Sequence, residues 1–145
     1  MTQNFSRPEG GGEIAQPDDS GRSTRHPNTR VLLVEDDEAV ASGLEALLQI
    51  EGFQVHIARS GADAIRYLET AKPDVVVLDV GLPDMDGTVV YKQIVEHYPD
   101  LPVIFSTGDA AQLHVLGTDR PVLYLLKPFD TDVLIATINN ALSLG

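Results

Sequence analysis

Short apolar runs in this chain end on residues able to do chemistry. Val31-Leu32-Leu33-Val34 ends on three acids, Glu35-Asp36-Asp37, and Val75-Val76-Val77-Leu78 ends on Asp79. Val103-Ile104-Phe105 leads into Ser106-Thr107-Gly108, and Val122-Leu123-Tyr124-Leu125-Leu126 ends on Lys127. If Asp36, Asp37 and Asp79 meet, their like charges repel, and a divalent cation removes the conflict. All-oxygen ligands with room for water suit Mg²⁺, which takes a few carboxylates and a phosphate while keeping several waters. Lys127 is a point charge on a flexible stem, suited to a phosphoryl oxygen, and Thr107 offers a hydroxyl donor. A carboxylate nucleophile, a metal, a cation and a donor can together accept a phosphoryl group onto Asp79. The product, a mixed anhydride, is labile and suits a signal better than a structural modification.

The elements that must bring these residues together alternate strand and helix. Each aliphatic run is too short for a buried helix and too apolar for a half-exposed strand, so it reads as a strand of a parallel sheet. Val40, Leu44, Leu47 and Leu48 recur at helical spacing up to a stop at Gly52. Phe53 to Ala58 alternates like an edge or half-buried strand. Ser60 is placed to cap a helix carrying Ala64, Ile65 and Leu68. Val90, Ile94, Val95 and Tyr98 mark another helical face closed by Pro99, and a short fourth helix is expected over Ala110 to Leu116. Asp130 caps a last helix with Leu134, Ile138, Ala141 and Leu142 on one face. Five β-α units with short, right-handed connections require a parallel sheet covered on both faces. Its C-terminal edge then collects Asp36, Asp37, Asp79, Thr107 and Lys127.

Composition narrows the partners. The 145 residues suffice for one domain with a real core, and the net charge of −12 repels nucleic-acid backbones and anionic lipid. Cysteine is absent, so disulfides, zinc thiolates and thiol nucleophiles are excluded, in keeping with a cytoplasmic protein. No apolar stretch approaches the ~20 residues of a membrane span. Residues 1–28 contain Gly10-Gly11-Gly12, three Pro and almost no apolar residues, and read as a disordered tail or linker.

From about residue 29 to 145 the chain closely resembles the receiver domain of bacterial two-component response regulators. The matching stretches are Val31 to Glu38, Leu78 to Gly87, Pro102 to Gly108 and Tyr124 to Phe129, four motifs in the right order on the right elements. The resemblance implies a flavodoxin-like (βα)5 fold with a doubly wound sheet of order 2-1-3-4-5. It implies Asp79 as phosphoacceptor, Asp37 as direct Mg²⁺ ligand, Asp36 acting through water and the Gly81 carbonyl as a further ligand. Lys127, before a cis Pro128, would contact the phosphoryl group. Thr107 would swing toward that group and Tyr124 would turn into the space vacated, switching the face of helix 4, strand 5 and helix 5. The implied donor is a histidine kinase or histidine phosphotransfer protein, with no enzyme activity of the chain's own. The output is a partner protein or a phosphorylation-dependent homodimer.

Each role has a plainer rival. Asp79 can start a turn, Asp36 and Asp37 can cap a helix, Lys127 can be a solvated strand-end charge, Thr107 a turn residue and Tyr124 plain core. Asp84-Met85-Asp86-Gly87-Thr88 matches the loop of haloacid-dehalogenase-type phosphatases, although Asp84 does not directly follow a strand. A third reading keeps the fold as an interaction module that is never phosphorylated. Two departures from the family pattern stand out. The segment before strand 5 is Gly117-Thr118-Asp119-Arg120-Pro121, and Gly81 beside Asp79 has no side chain. With Asp109 adding negative charge, an open flank at Gly81 predicts a short-lived phosphorylated state.

Overall fold

The computed structural model of the chain describes residues 28–109, 111 and 123–144. The expected tail over 1–28 and the short helix over Ala110 to Leu116 lie outside the described residues, apart from Asn28 and Ala111. Strands β1 (Arg30–Val34), β2 (Gln54–Ala58), β3 (Val75–Asp79), β4 (Val103–Thr107) and β5 (Leu123–Leu126) form one parallel sheet in the order β2-β1-β3-β4-β5. Helices α1 (Glu38–Ile50), α2 (Gly61–Thr70), α3 (Gly87–His97) and α4 (Thr131–Leu144) are the helices among the described residues. The last of these is the helix that the sequence places after strand 5.

Strand alternation divides the core in two. Val31, Leu33, Val75, Val77 and Ile104 face a layer with Ala41 and Leu48 of α1 and with Leu134, Ile138 and Ala141 of α4. Leu32, Val34, Val76, Leu78 and Phe105 face the other layer, with Ala64 and Leu68 of α2 and Val90 and Ile94 of α3. Because both faces are covered, all of Val75 to Leu78 is buried, which explains a continuous aliphatic run where a one-sided strand would alternate.

Polar residues open the helices, Ser60 and Asp130 as the sequence predicts. Ser60 accepts from Asp63 N at 3.1 Å, Asp86 from Thr88 N at 2.8 Å and Asp130 from Val133 N at 3.0 Å. Gly52 follows α1 with φ 99°, a conformation that costs glycine nothing. The second strand starts one residue later than the alternation suggests, because the Phe53 N–H still closes the α1 turn on Leu48 O. The chain leaves β1 toward β2 and returns to β3 on the other side. The crevice at this reversal, above the ends of β1 and β3, is where open α/β sheets bind ligands.

Candidate functional site

The ends of β1, β3 and β5 meet at that crevice. Glu35 prolongs β1, its N–H donating to Ala58 O at 3.0 Å, and its side chain is buried. Asp79 closes β3 and is also buried. Lys127 Nζ bridges them, 3.1 Å from Asp79 Oδ2 and 3.2 Å from Glu35 Oε1. The other Asp79 oxygen, Oδ1, accepts from Gly81 N at 2.9 Å. Asp36, the first residue clear of the sheet, is exposed, and its carboxylate completes a group with Glu35 and Asp79 whose oxygens lie within 4.8 Å of one another. Burial works against the Lys127 charge. Asp79 and Glu35 outweigh it by hydrogen bonding and Coulomb attraction, so the ammonium titrates above its ordinary value.

The structure sets Asp37 apart from the acid cluster. Asp37, expected beside Asp36 as the direct metal ligand, spends its carboxylate on the helix: Oδ1 accepts from Val40 N at 3.1 Å, and Asp37 caps α1. Unpaired N–H groups in a first turn claim the acceptor at this position. Glu35 takes its place in the cluster, and its Oε2 also accepts from Asp37 N at 3.1 Å. Strand period was the signal that would have found it. Residues 31, 33 and 35 share a face, and a buried acid there needs a cation.

The remaining candidates are divided. Thr107 is buried at the end of β4, and Lys127 N donates to its carbonyl at 2.8 Å. Its hydroxyl makes a turn with the Asp109 main chain, accepting from N and donating to O, each at 3.1 Å. Tyr124 is 46% exposed on β5, which removes the plain-core reading. The Lys127–Pro128 bond is cis. Asp84 is not at a strand end: its carboxylate accepts from Gly61 N and Ala62 N at 2.9 and 3.0 Å. The Ala62 and Gly61 N–H groups hold its carboxyl below the usual value. Asp86 caps α3, so both acids of the phosphatase-like loop serve as helix caps.

Two glycines shape the pocket. A side chain at Gly81 would meet only Asp79 Oδ1, at 3.9 Å, so that flank of the carboxylate is open. A methyl at Gly87 would lie 2.5 Å from the Asp79 carbonyl oxygen and 2.8 Å from Val80 Cα. Backbone cannot yield as a side-chain tip can, so Gly87→Ala is expected to cost about 1–3 kcal/mol, read as a lower urea midpoint. The donor set fits a small divalent cation: three carboxylates at one point, one of them exposed, beside an open flank. Among the described residues no helix is long and apolar enough to cross a membrane.

Comparison with known proteins gives the same picture. The family description of the response regulator receiver domain matches residues 31–139. The transcriptional regulatory protein DltR of Streptococcus agalactiae is 37% identical over 114 residues, covering 75% of this chain and 50% of that protein. The response regulator MprA of Mycobacterium sp. (strain KMS) is 38% identical over 109 residues, covering 74% and 47%. The chain thus spans about half the length of the curated relatives it matches. A CheY-like receiver from Methanospirillum hungatei superposes with a TM-score of 0.72 at 27% identity, covering 80% of this chain and 94% of its own. TrrA of Thermotoga maritima, crystallised with Mg²⁺-BeF, gives 0.72 at 26% identity, covering 78% and 98%. With its sheet order, its acid cluster at the switch point and a family match over nearly all the described residues, the chain belongs to the response regulator receiver domains.

Proposed function

We propose that this chain is the phosphoacceptor of a two-component relay, modified on Asp79 in a Mg²⁺-dependent reaction. The observation that carries the reading is the environment of Asp79: a buried carboxylate joined to an ammonium, with two further acids at the same point and one flank open. A buried Asp whose only task was to start a turn would not need Lys127, Glu35 and Asp36 around it.

Asp36, Asp79 and Glu35 would hold the cation, with the Gly81 carbonyl as a further oxygen. The metal supplies charge neutralisation for the incoming phosphoryl group. A carboxylate oxygen of Asp79 forms a bond to phosphorus as the P–N bond of a donor phosphohistidine breaks, its electron pair returning to the imidazole. Lys127 then follows the negative charge onto a phosphoryl oxygen, releasing Glu35. Thr107 would give up its turn with Asp109 for the phosphoryl group, and Tyr124, exposed at the sheet edge, would turn inward. The donor is a histidine kinase or histidine phosphotransfer protein, and the output face includes β5 and α4. The open flank at Gly81 lets water reach the anhydride, so the modified state is short-lived.

The test is incubation with acetyl phosphate, followed by intact-mass measurement. One phosphoryl group is expected, dependent on Mg²⁺, prevented by chelation, and lost over time once the donor is removed. A chain that never labels is an unphosphorylated interaction module, and one that labels equally without a divalent cation has no metal site.

A further inference from the structure

The acid cluster takes Glu35 and Asp36 from the loop leaving β1 at 35–37, and Asp79 from the last position of β3, where a second loop leaves over 80–86. Both loops are tied to a third place that contributes no carboxylate to the cluster, the turn from β2 into α2. On one side Arg59 forks onto the Asp36 carbonyl oxygen, with Nη2 at 2.9 Å and Nε at 3.3 Å. On the other, Gly61 N and Ala62 N donate to the two oxygens of Asp84 at 2.9 and 3.0 Å. Close packing backs the second tie, since any side chain on Gly61 would overlap Met85. Arg59, Gly61 and Ala62, within one stretch of four residues, therefore hold both loops.

We propose that this turn is the shared brace of the metal site, with Arg59 and Asp84 as positioning residues for cation binding; the inference rests on the reading of Asp36, Glu35 and Asp79 as the cation's ligands. Asp36 is the exposed member of the cluster and has no core packing to fix it. Holding its carbonyl fixes the peptide plane from which its side chain departs. Asp84 does the same for the loop that carries Gly81. A loop ordered in advance need not be ordered when the ion arrives, so the benefit falls on affinity. Exposed hydrogen bonds of this kind add little to global stability, so the two effects separate. Sharing one turn also couples the loops, so losing the second tie costs less once the first is gone.

The test is titration of the apo chain with Mg²⁺ alone, followed through backbone amide resonances, alongside thermal unfolding without metal. Arg59→Ala and Asp84→Asn are each expected to weaken Mg²⁺ binding about tenfold, the lower end for groups that support ligands from outside. The Gly61 and Ala62 amides should shift on Mg²⁺ addition in the native chain, although neither residue offers a ligand. Arg59→Lys should weaken binding as Ala does, because an ammonium cannot fork. The apo melting temperature of Arg59→Ala should stay close to native. If Arg59→Ala and Asp84→Asn bind Mg²⁺ like the native chain, whatever their melting temperatures, the brace is wrong and the metal site stands. If Lys restores full affinity, Arg59 acts as a charge and the positioning role fails. If the native chain binds no Mg²⁺, the proposed metal site falls and takes the brace with it.

Discussion

Asp79→Asn is expected to abolish phosphoryl labelling altogether while the chain still unfolds cooperatively. The amide is nearly isosteric, and its oxygen can still accept from Gly81 N, so the loop after β3 keeps its anchor. Lys127 keeps Glu35 as a partner at 3.2 Å, so the ammonium is not stranded. What disappears is the nucleophile, and neither Glu35 nor Asp36 can replace it. Glu35 is committed to Lys127 and the Asp37 N–H, and Asp36 is exposed, clear of the sheet and outside the Lys127 ion pairs. Asp84→Ala is the control. At saturating Mg²⁺ it should still label, because Asp84 faces the N-terminus of α2. Labelling that survives Asp79→Asn and vanishes in Asp84→Ala would reinstate the phosphatase-type reading.

Lys127→Ala should have the largest effect on the unmodified protein. The ammonium joins two carboxylates whose side chains are only 5% and 9% exposed, and its removal leaves both without a cation among the described residues. Breaking a buried pair from one side costs about 3 kcal/mol at the lower end of the usual range, which applies because Lys127 itself is a third exposed. Mg²⁺ should raise the melting temperature of this variant more than that of the native chain, since the ion takes over the neutralisation. Labelling should slow about a hundredfold for want of a donor to the phosphoryl oxygens. The pH dependence has a definite sign. A Lys titrating above its ordinary value in the folded state stabilises fully below the unfolded pKa of about 10.4 and loses that contribution as pH rises through the folded pKa. Going up in pH from 7, the stability gap between native and variant should therefore stay flat and narrow only in alkali. A gap that closes between pH 7 and pH 9 would assign it to some other group.

Much of this protein is determined locally. Runs such as Val75-Val76-Val77-Leu78 read as strands covered on both faces, and the spacing of Leu134, Ile138 and Ala141 reads as one face of a helix. Short connections then force parallel strands, and parallel strands put every C-terminal end on one edge. Asp79 and Lys127 therefore meet as a consequence of patterning that short windows of sequence already contain. What the amino acids in order did not decide is which acceptor each donor finds. Glu35, Asp36 and Asp37 are chemically near-equivalent neighbours. The choice among them was made by β1 pairing one residue past Val34 and by the first turn of α1 needing a cap. Asp84 looks like a nucleophile in sequence and is a clamp in space, because its donors lie more than twenty residues away. Periodicity is a property of the chain's own geometry, readable a few residues at a time. Hydrogen-bond partners are settled by competition among all groups within about 3 Å, and only the assembled sheet determines which groups those are.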